Sequence, residues 1–131
     1  MSQIRAITIN DVQYNVAQAS AVEQKKIMLH IGAKIAFNSA TTDTVEIDSN
    51  MLFGLLMSLP ESTFDEISNV VLRKAFIAGT DTQVTLANFQ GSMTSYFKLV
   101  AEAIVFNLGD YFTWLDSENA ARRAQVKGVK A

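Results

Sequence analysis

The chain begins with two short segments in which apolar and polar residues alternate. These segments are Ile4–Ile9 and Val12–Ala17, and the pair Asn10-Asp11 between them is a common turn sequence. Alternation with a period of two places the apolar side chains on one face of a strand. The pattern therefore predicts an N-terminal β-hairpin.

A helical pattern follows the hairpin. Ser20 and Glu23 have the spacing of a capping box, so a helix is expected from about Ala21. Its predicted buried face consists of Ile27, Met28, Ile31 and Ile35. Segment 34–47 permits two interpretations, because "KIAF" and "TVEI" flank a Ser/Thr/Asp stretch. Either a second small hairpin forms there, or the first helix runs on to Asn38.

Two further helices are predicted in the middle of the chain. The first begins at an N-cap within 48–50 and runs to Leu59, before Pro60 ends it. The second begins with the capping-box pair Thr63 and Glu66 and ends at Gly79. Their predicted buried rows are Leu52, Leu55, Leu56 and Leu59 in the first, and Phe64, Ile67, Val70, Val71 and Ala75 in the second.

The most apolar stretch of the chain is segment 95–115, which we expect to lie in a long helix capped by Asn88. Lys98, Glu102 and Asp110 interrupt it, and each charge would cost about 2.5 to 3.5 kcal/mol inside a bilayer. A transmembrane role is therefore rejected. A break within 107–109 is an alternative that would start a separate short helix at "YFTWL".

At 100° per residue, this last helix is apolar on two sides. One side is predicted to face the core and includes Phe97, Ile104, Leu108 and Phe112. The other is predicted to face a partner and includes Tyr96, Leu99, Phe106 and Trp114. The partner assignment follows because a small chain has difficulty covering both sides of one helix. In the competing interpretation, the second side packs against the hairpin and the short helices.

These elements predict an α+β, mainly helical fold, with an N-terminal β-hairpin packed on three to four helices. We expect one globular domain over residues 1–116 and a polar, basic and mobile C-terminal tail over residues 117–131.

Charge and residue inventory disfavour several functions. The net charge of −2 argues against nucleic-acid binding, although Arg122, Arg123, Lys127 and Lys130 cluster near the C-terminus.

The chain has no cysteine, one histidine (His30), scattered glycines and no metal-ligand spacing, so neither an enzyme nor a cofactor is expected. Acidic residues within 43–48 lack the glycine and distal glutamate of a calcium loop. No apolar run follows Arg5, so no secretion signal is expected.

Three segments carry a family resemblance. "ITINDVQYNVAQASAVEQ", "LMSLPESTFDEISNVVL" and "FQGSMTSYFKLVAEAIVFNLGDYF" resemble segments of the tail assembly chaperones of long-tailed bacteriophages and prophages. The similarity extends over residues 7–116. It is a similarity of sequence pattern and includes no catalytic motif.

The resemblance implies a cytoplasmic, non-enzymatic factor in an infected or lysogenic bacterial host. Such a factor binds the tape measure protein, helps recruit tail tube subunits and forms homo-oligomers. An apolar second stripe would give a transient cover for a long hydrophobic helix.

Two other functions remain open. A structural tail or baseplate-associated subunit would use the same apolar stripe to close a stable homo-oligomer. A helical DNA-binding regulator is disfavoured by the acidic charge.

Overall fold

The computed structural model describes residues 3–41 and 49–130, with backbone alone for 38–41, 49–50 and 122–130. In chain order, the elements are β1 (Ile4–Ile9), β2 (Val12–Ala17), α1 (Ala21–Thr41), α2 (Ser49–Leu56), α3 (Glu61–Val71), β3 (Ala75–Ile77), a 3-10 helix (Leu86–Phe89), α4 (Met93–Asn107) and α5 (Gly109–Lys130). The α+β, mainly helical class is confirmed. The described residues contain five α-helices, more than the three to four predicted.

The N-terminal hairpin has the predicted bounds. Asn10 and Asp11 have φ values of 49° and 67°, and Ile9 pairs with Val12 across them. Two consecutive positive φ angles define the type I′ turn, whose twist matches that of the flanking strands. Ile7 lies opposite Tyr14, and both side chains are buried on the face that meets the helices. The predicted hairpin is therefore confirmed, although Ile4 and Val12 are exposed at its ends.

A third strand completes the sheet in the order β1-β2-β3, with all neighbours antiparallel. β3 lies where the sequence predicted a helix extending to Gly79, and that prediction is wrong. α3 ends at Val71, and Asn15 of β2 pairs with Phe76 instead. Pairing with the free edge of β2 satisfies backbone groups that a longer helix would have bonded internally. Gly79 lies in the turn after β3, with φ of +80°.

The capping box at the start of α1 is confirmed. The backbone amide of Glu23 donates to Ser20 Oγ at 3.3 Å, and the backbone amide of Ser20 donates to Glu23 Oε1 at 3.3 Å. Ile27, Ile31 and Ile35 are buried along one face of the helix.

The second hairpin considered near 34–47 is wrong for residues 34–41, because α1 continues there to Thr41 and buries Ile35 with the same helical spacing. The remainder of that segment lies outside the described residues, as does Asp48.

The two middle helices differ from the prediction at their ends. α2 ends at Leu56 rather than Leu59, although Leu52, Leu55 and Leu56 are buried as expected. α3 begins at Glu61, immediately after Pro60, so the predicted capping box at Thr63 and Glu66 is wrong. Proline fixes φ near the helical value and needs no amide partner, which suits it to a helix start.

The last predicted helix is divided in two. Leu108 has non-helical angles (φ −116°, ψ 28°) and separates α4 from α5, so the break considered from the sequence is confirmed. The short helix expected after the break is wrong, because α5 has 22 residues. Asn88 does not cap this helix. Its side-chain oxygen accepts from the backbone amide of Thr85, the N-cap of the 3-10 helix, and Ser92 is the residue that precedes α4. α5 continues through Lys130 and buries Asn119, so the helix does not end at the predicted domain boundary of 116.

α4 is the central element of the core. It contacts α2, α3, β1, α5 and the 3-10 helix. Its buried residues are Ser95, Tyr96, Leu99, Val100, Ala101, Ala103, Ile104, Phe106 and Asn107, which lie all around the helix. A helix that is covered on nearly every side needs the two apolar sides seen in the sequence.

Candidate interaction surface

Three of the four residues predicted to face a partner are buried within the subunit. Leu99 is fully buried, and Tyr96 and Phe106 are nearly so. Tyr96 packs between the rings of Phe64 and Phe89, at centroid distances of 6.0 and 5.3 Å. The expectation that these three side chains face outward is wrong, because the sheet and the neighbouring helices cover both sides of α4.

Phe106 lies beneath the N-terminal strand. The guanidinium of Arg5, on β1, lies 4.8 Å from the centroid of its ring. A cation over an aromatic face is attracted by the ring quadrupole, so Arg5 covers the edge of the core with its charge still at the surface. The ring therefore forms part of the contact between the hairpin and α4.

The four residues predicted to face the core differ in how far they are buried. Ile104, Leu108 and Phe112 are buried, as expected. Phe97 is only partly buried, and its ring stacks on Phe64 at 4.6 Å with an interplanar angle of 12°. Phe97 therefore lies at the margin of the core.

Trp114 is the predicted partner residue that remains at the surface, with 56% of its area exposed. Its ring stacks on Tyr111, with centroids 6.1 Å apart and planes 16° apart. The Tyr111 hydroxyl donates to the backbone oxygen of Gly32 in α1 at 2.7 Å. Burial raises the pKa of this phenol, so it stays protonated and can keep donating. One face of the Trp114 ring therefore packs on Tyr111, which is itself bonded to α1.

An open groove of about 670 Å³ lies beside Trp114, between the first half of α1 and the junction of α4 with α5. It is lined by Ala21, Gln24, Lys25, Met28, Leu29, Asn107, Leu108, Asp110, Tyr111 and Trp114. Leu29 is 78% exposed, and Val22 is exposed two turns before it on α1. We call Val22, Met28, Leu29 and Trp114 the α1–α5 surface.

The α1 half of this surface was missed in the sequence. Met28 was predicted to be buried with Ile27, Ile31 and Ile35, but it is only partly buried and lines the groove. Val22, Leu29, Ala33 and Phe37 follow one another at intervals of seven, four and four residues, which places them on one outer face. All four are exposed. A second apolar stripe on a surface helix was the signal that could have revealed it.

The single histidine of the chain forms an ion pair with a glutamate. His30 Nε2 lies 3.1 Å from Glu66 Oε2 at the surface, where the pair joins α1 to α3. Within 3–41 and 49–130, no three histidine or acidic side chains come together in a way that could hold a metal ion. Over the same residues, no helix has both the length and the apolarity to span a bilayer.

In comparisons with protein-family models, curated proteins and solved structures, no match to this chain was found.

Proposed function

We propose that the protein is a non-enzymatic tail assembly chaperone of a long-tailed phage or prophage. In this proposal it works in the bacterial cytoplasm, binds the tape measure protein through the α1–α5 surface and helps recruit tail tube subunits. The exposure of Trp114 beside Leu29 is the observation that carries the proposal.

Exposed aromatic and aliphatic side chains favour a binding role for this surface. Tryptophan is enriched among residues that dominate binding energy, since a large ring excludes much water when it is covered. The ring of Trp114 stacks on Tyr111, and a side chain restricted in this way loses little freedom on binding. Met28 lines the same groove, and its unbranched side chain adapts to different partners.

The groove runs between helices, which suits a helical partner. A helix bonds its own backbone groups, so it needs only apolar contact and a few polar contacts at the edges. Lys25 and Asp110 line the groove with opposite charges and offer such polar contacts. The resemblance to tail assembly chaperones supplies the identity of the partner, a long helical tape measure protein.

Co-expression tests the proposal. The chain is produced with and without the tape measure protein of the same genome, and the soluble tape measure fraction and the co-purified complex are measured. We expect both to rise with the wild-type chain. They should fall with Trp114→Ala combined with Leu29→Glu.

Ile4→Glu is the matched control, because Ile4 is also strongly exposed but lies on β1 and does not line the groove. This variant should behave as the wild type does. Equal solubility with and without the wild-type chain would refute the proposal. Detection of the chain as a constituent of purified virions would instead favour a structural tail subunit, because a chaperone is expected to leave the particle.

A further inference from the structure

A second apolar groove lies on another side of the molecule, with a volume of about 290 Å³. It is formed by the end of α2, the first turns of α3, the 3-10 helix and the start of α4. It shares no lining residue with the groove beside Trp114. The two grooves are therefore separate sites.

Three exposed apolar side chains from three different elements converge on this second groove. They are Met57, which follows α2, Leu86 of the 3-10 helix and Met93 of α4. The partly buried ring of Phe97 also lines it. Single exposed apolar residues are normal on protein surfaces, but a convergent group of this kind is a candidate interaction site. We call this feature the methionine groove.

The margin of the methionine groove is acidic. Glu61 and Asp65 both line it, and both are exposed. They are four residues apart on α3, so their carboxylates lie on one face, one turn from each other. Among the described residues, neither carboxylate belongs to an ion pair. Two carboxylates that form no ion pair within the described residues favour a partner that carries Lys or Arg at matching positions.

We propose that the methionine groove binds an α-helix of another protein, with an apolar row on the helix flanked by Lys or Arg. The flexible methionines adapt to the apolar row, and the two carboxylates pair with basic residues one turn apart on the partner. An extended strand is disfavoured, because every residue that lines the groove lies outside β1, β2 and β3 and no strand edge is available for pairing. The volume is at the lower limit of small-molecule pockets.

Model peptides provide a direct test with the full chain. The probe is a synthetic fluorescent helix with leucines on one face and lysines on the other, and the control peptide carries glutamates in place of the lysines. Anisotropy titrations should show binding of the lysine peptide at least about tenfold tighter than that of the glutamate peptide.

Matched variants locate the bound helix. Glu61→Gln with Asp65→Asn should weaken binding of the lysine peptide about fivefold. Asp81→Asn with Glu118→Gln changes the net charge equally at exposed sites outside the groove and should have no effect. Met57→Ser with Met93→Ser should weaken binding about tenfold, because it removes the apolar contact. Unchanged circular dichroism and thermal midpoints show that these variants remain folded.

Other results would overturn the proposal. Equal binding of the two peptides would remove the charge argument, and equal loss in both carboxylate pairs would show general electrostatic attraction. Loss of binding with Leu29→Glu but not with Met57→Ser and Met93→Ser would place the helix on the α1–α5 surface. A wild-type dimer in sedimentation that dissociates with the methionine substitutions would identify a second copy as the occupant. None of these tests depends on the tape measure protein.

Discussion

The side-chain oxygen of Asn107, at the C-terminus of α4, accepts a hydrogen bond of 2.7 Å from the backbone amide of Ala19. The same oxygen accepts from Gln24 Nε2 at 3.3 Å, and Asn107 Nδ2 donates to the backbone oxygen of Ala103 at 2.8 Å. Asn107 is buried, so one side chain joins the exit of β2, the first turn of α1 and the last turn of α4.

Replacing Asn107 by leucine should destabilise the fold by about 1–3 kcal/mol. The substitution keeps the approximate volume but leaves the partly buried amide of Ala19 without its acceptor, and an unpaired polar group costs up to about that much as its burial becomes complete. Urea unfolding followed by circular dichroism measures the change. Asn69→Leu is the control, because Asn69 is exposed on α3 and should change stability by less than about 0.5 kcal/mol. A loss of the same size in both variants would contradict this role for Asn107.

Replacing Gly32 by alanine should stabilise the protein by up to about 1 kcal/mol. Gly32 lies in the middle of α1, where glycine costs about that much relative to alanine. A Cβ atom there would lie 3.7 Å from the Tyr111 hydroxyl oxygen, which is ordinary van der Waals contact. The gain is measured as a higher urea midpoint.

The opposite sign is expected for Gly79→Ala. No atom lies close enough to obstruct a Cβ at this position, but its φ of +80° disfavours any residue with a side chain. The free energy of unfolding should fall by about 1 kcal/mol or more.

The prediction for Gly32 has its own contradicting outcome. A destabilised Gly32→Ala variant would mean that Tyr111 cannot tolerate the added methyl group.

Phe106 and Trp114 should respond differently to alanine substitution. Phe106→Ala removes a buried ring and should cost about 3–5 kcal/mol. Trp114→Ala removes a ring that is mostly exposed and should cost less than about 1 kcal/mol, from loss of the stack on Tyr111. Thermal and urea unfolding measure both. Similar losses at the two positions would contradict the burial difference between them.

This pair also shows the limit of periodicity as a guide to the site. The spacing of apolar residues correctly indicated that α4 is apolar on two sides, but periodicity carries no information on what covers each side. The competing interpretation, packing on the hairpin and the short helices, holds for Tyr96, Leu99 and Phe106. Because the hairpin, α2 and α3 are distant in the chain from α4, the spacing alone could not decide between this packing and a partner. Trp114 lies beyond the break at Leu108, on α5, which packs against α1 and α4 and leaves this ring mostly exposed.

Local signals predicted two features correctly, although the capping box expected at Thr63 and Glu66 did not form. The turn at Asn10-Asp11 and the capping box of Ser20 and Glu23 depend on local geometry, so the sequence predicted the hairpin and the start of α1 correctly. β3 was missed because its structure depends on the distant edge of β2, and "AFI" has no period of its own. The outer stripe of α1 was visible in principle but could not be recognised as exposed without the helices that cover the other face.

Raising the pH above about 10 should destabilise the protein. Burial raises the pKa of Tyr111 and of Tyr14 above the usual value near 10. Once the pH passes about 10, these phenols lose protons more readily in the unfolded chain, so the unfolded state binds fewer protons than the folded state. Stability is therefore unaffected by these groups below pH 10 and falls as the pH rises toward their folded pKa values.

Tyr111→Phe separates the two effects of this phenol. At neutral pH the variant should be less stable by about 0.5–1.5 kcal/mol, because the hydrogen bond to the oxygen of Gly32 is lost. Above pH 10 its stability should fall less steeply than that of the wild type, since Tyr14 then contributes alone among the two shifted phenols. Urea unfolding at a series of pH values measures both the offset and the slope. An unchanged slope would show that Tyr111 ionises equally well in the folded and unfolded chain, and its hydroxyl would then not be shielded between α5 and α1.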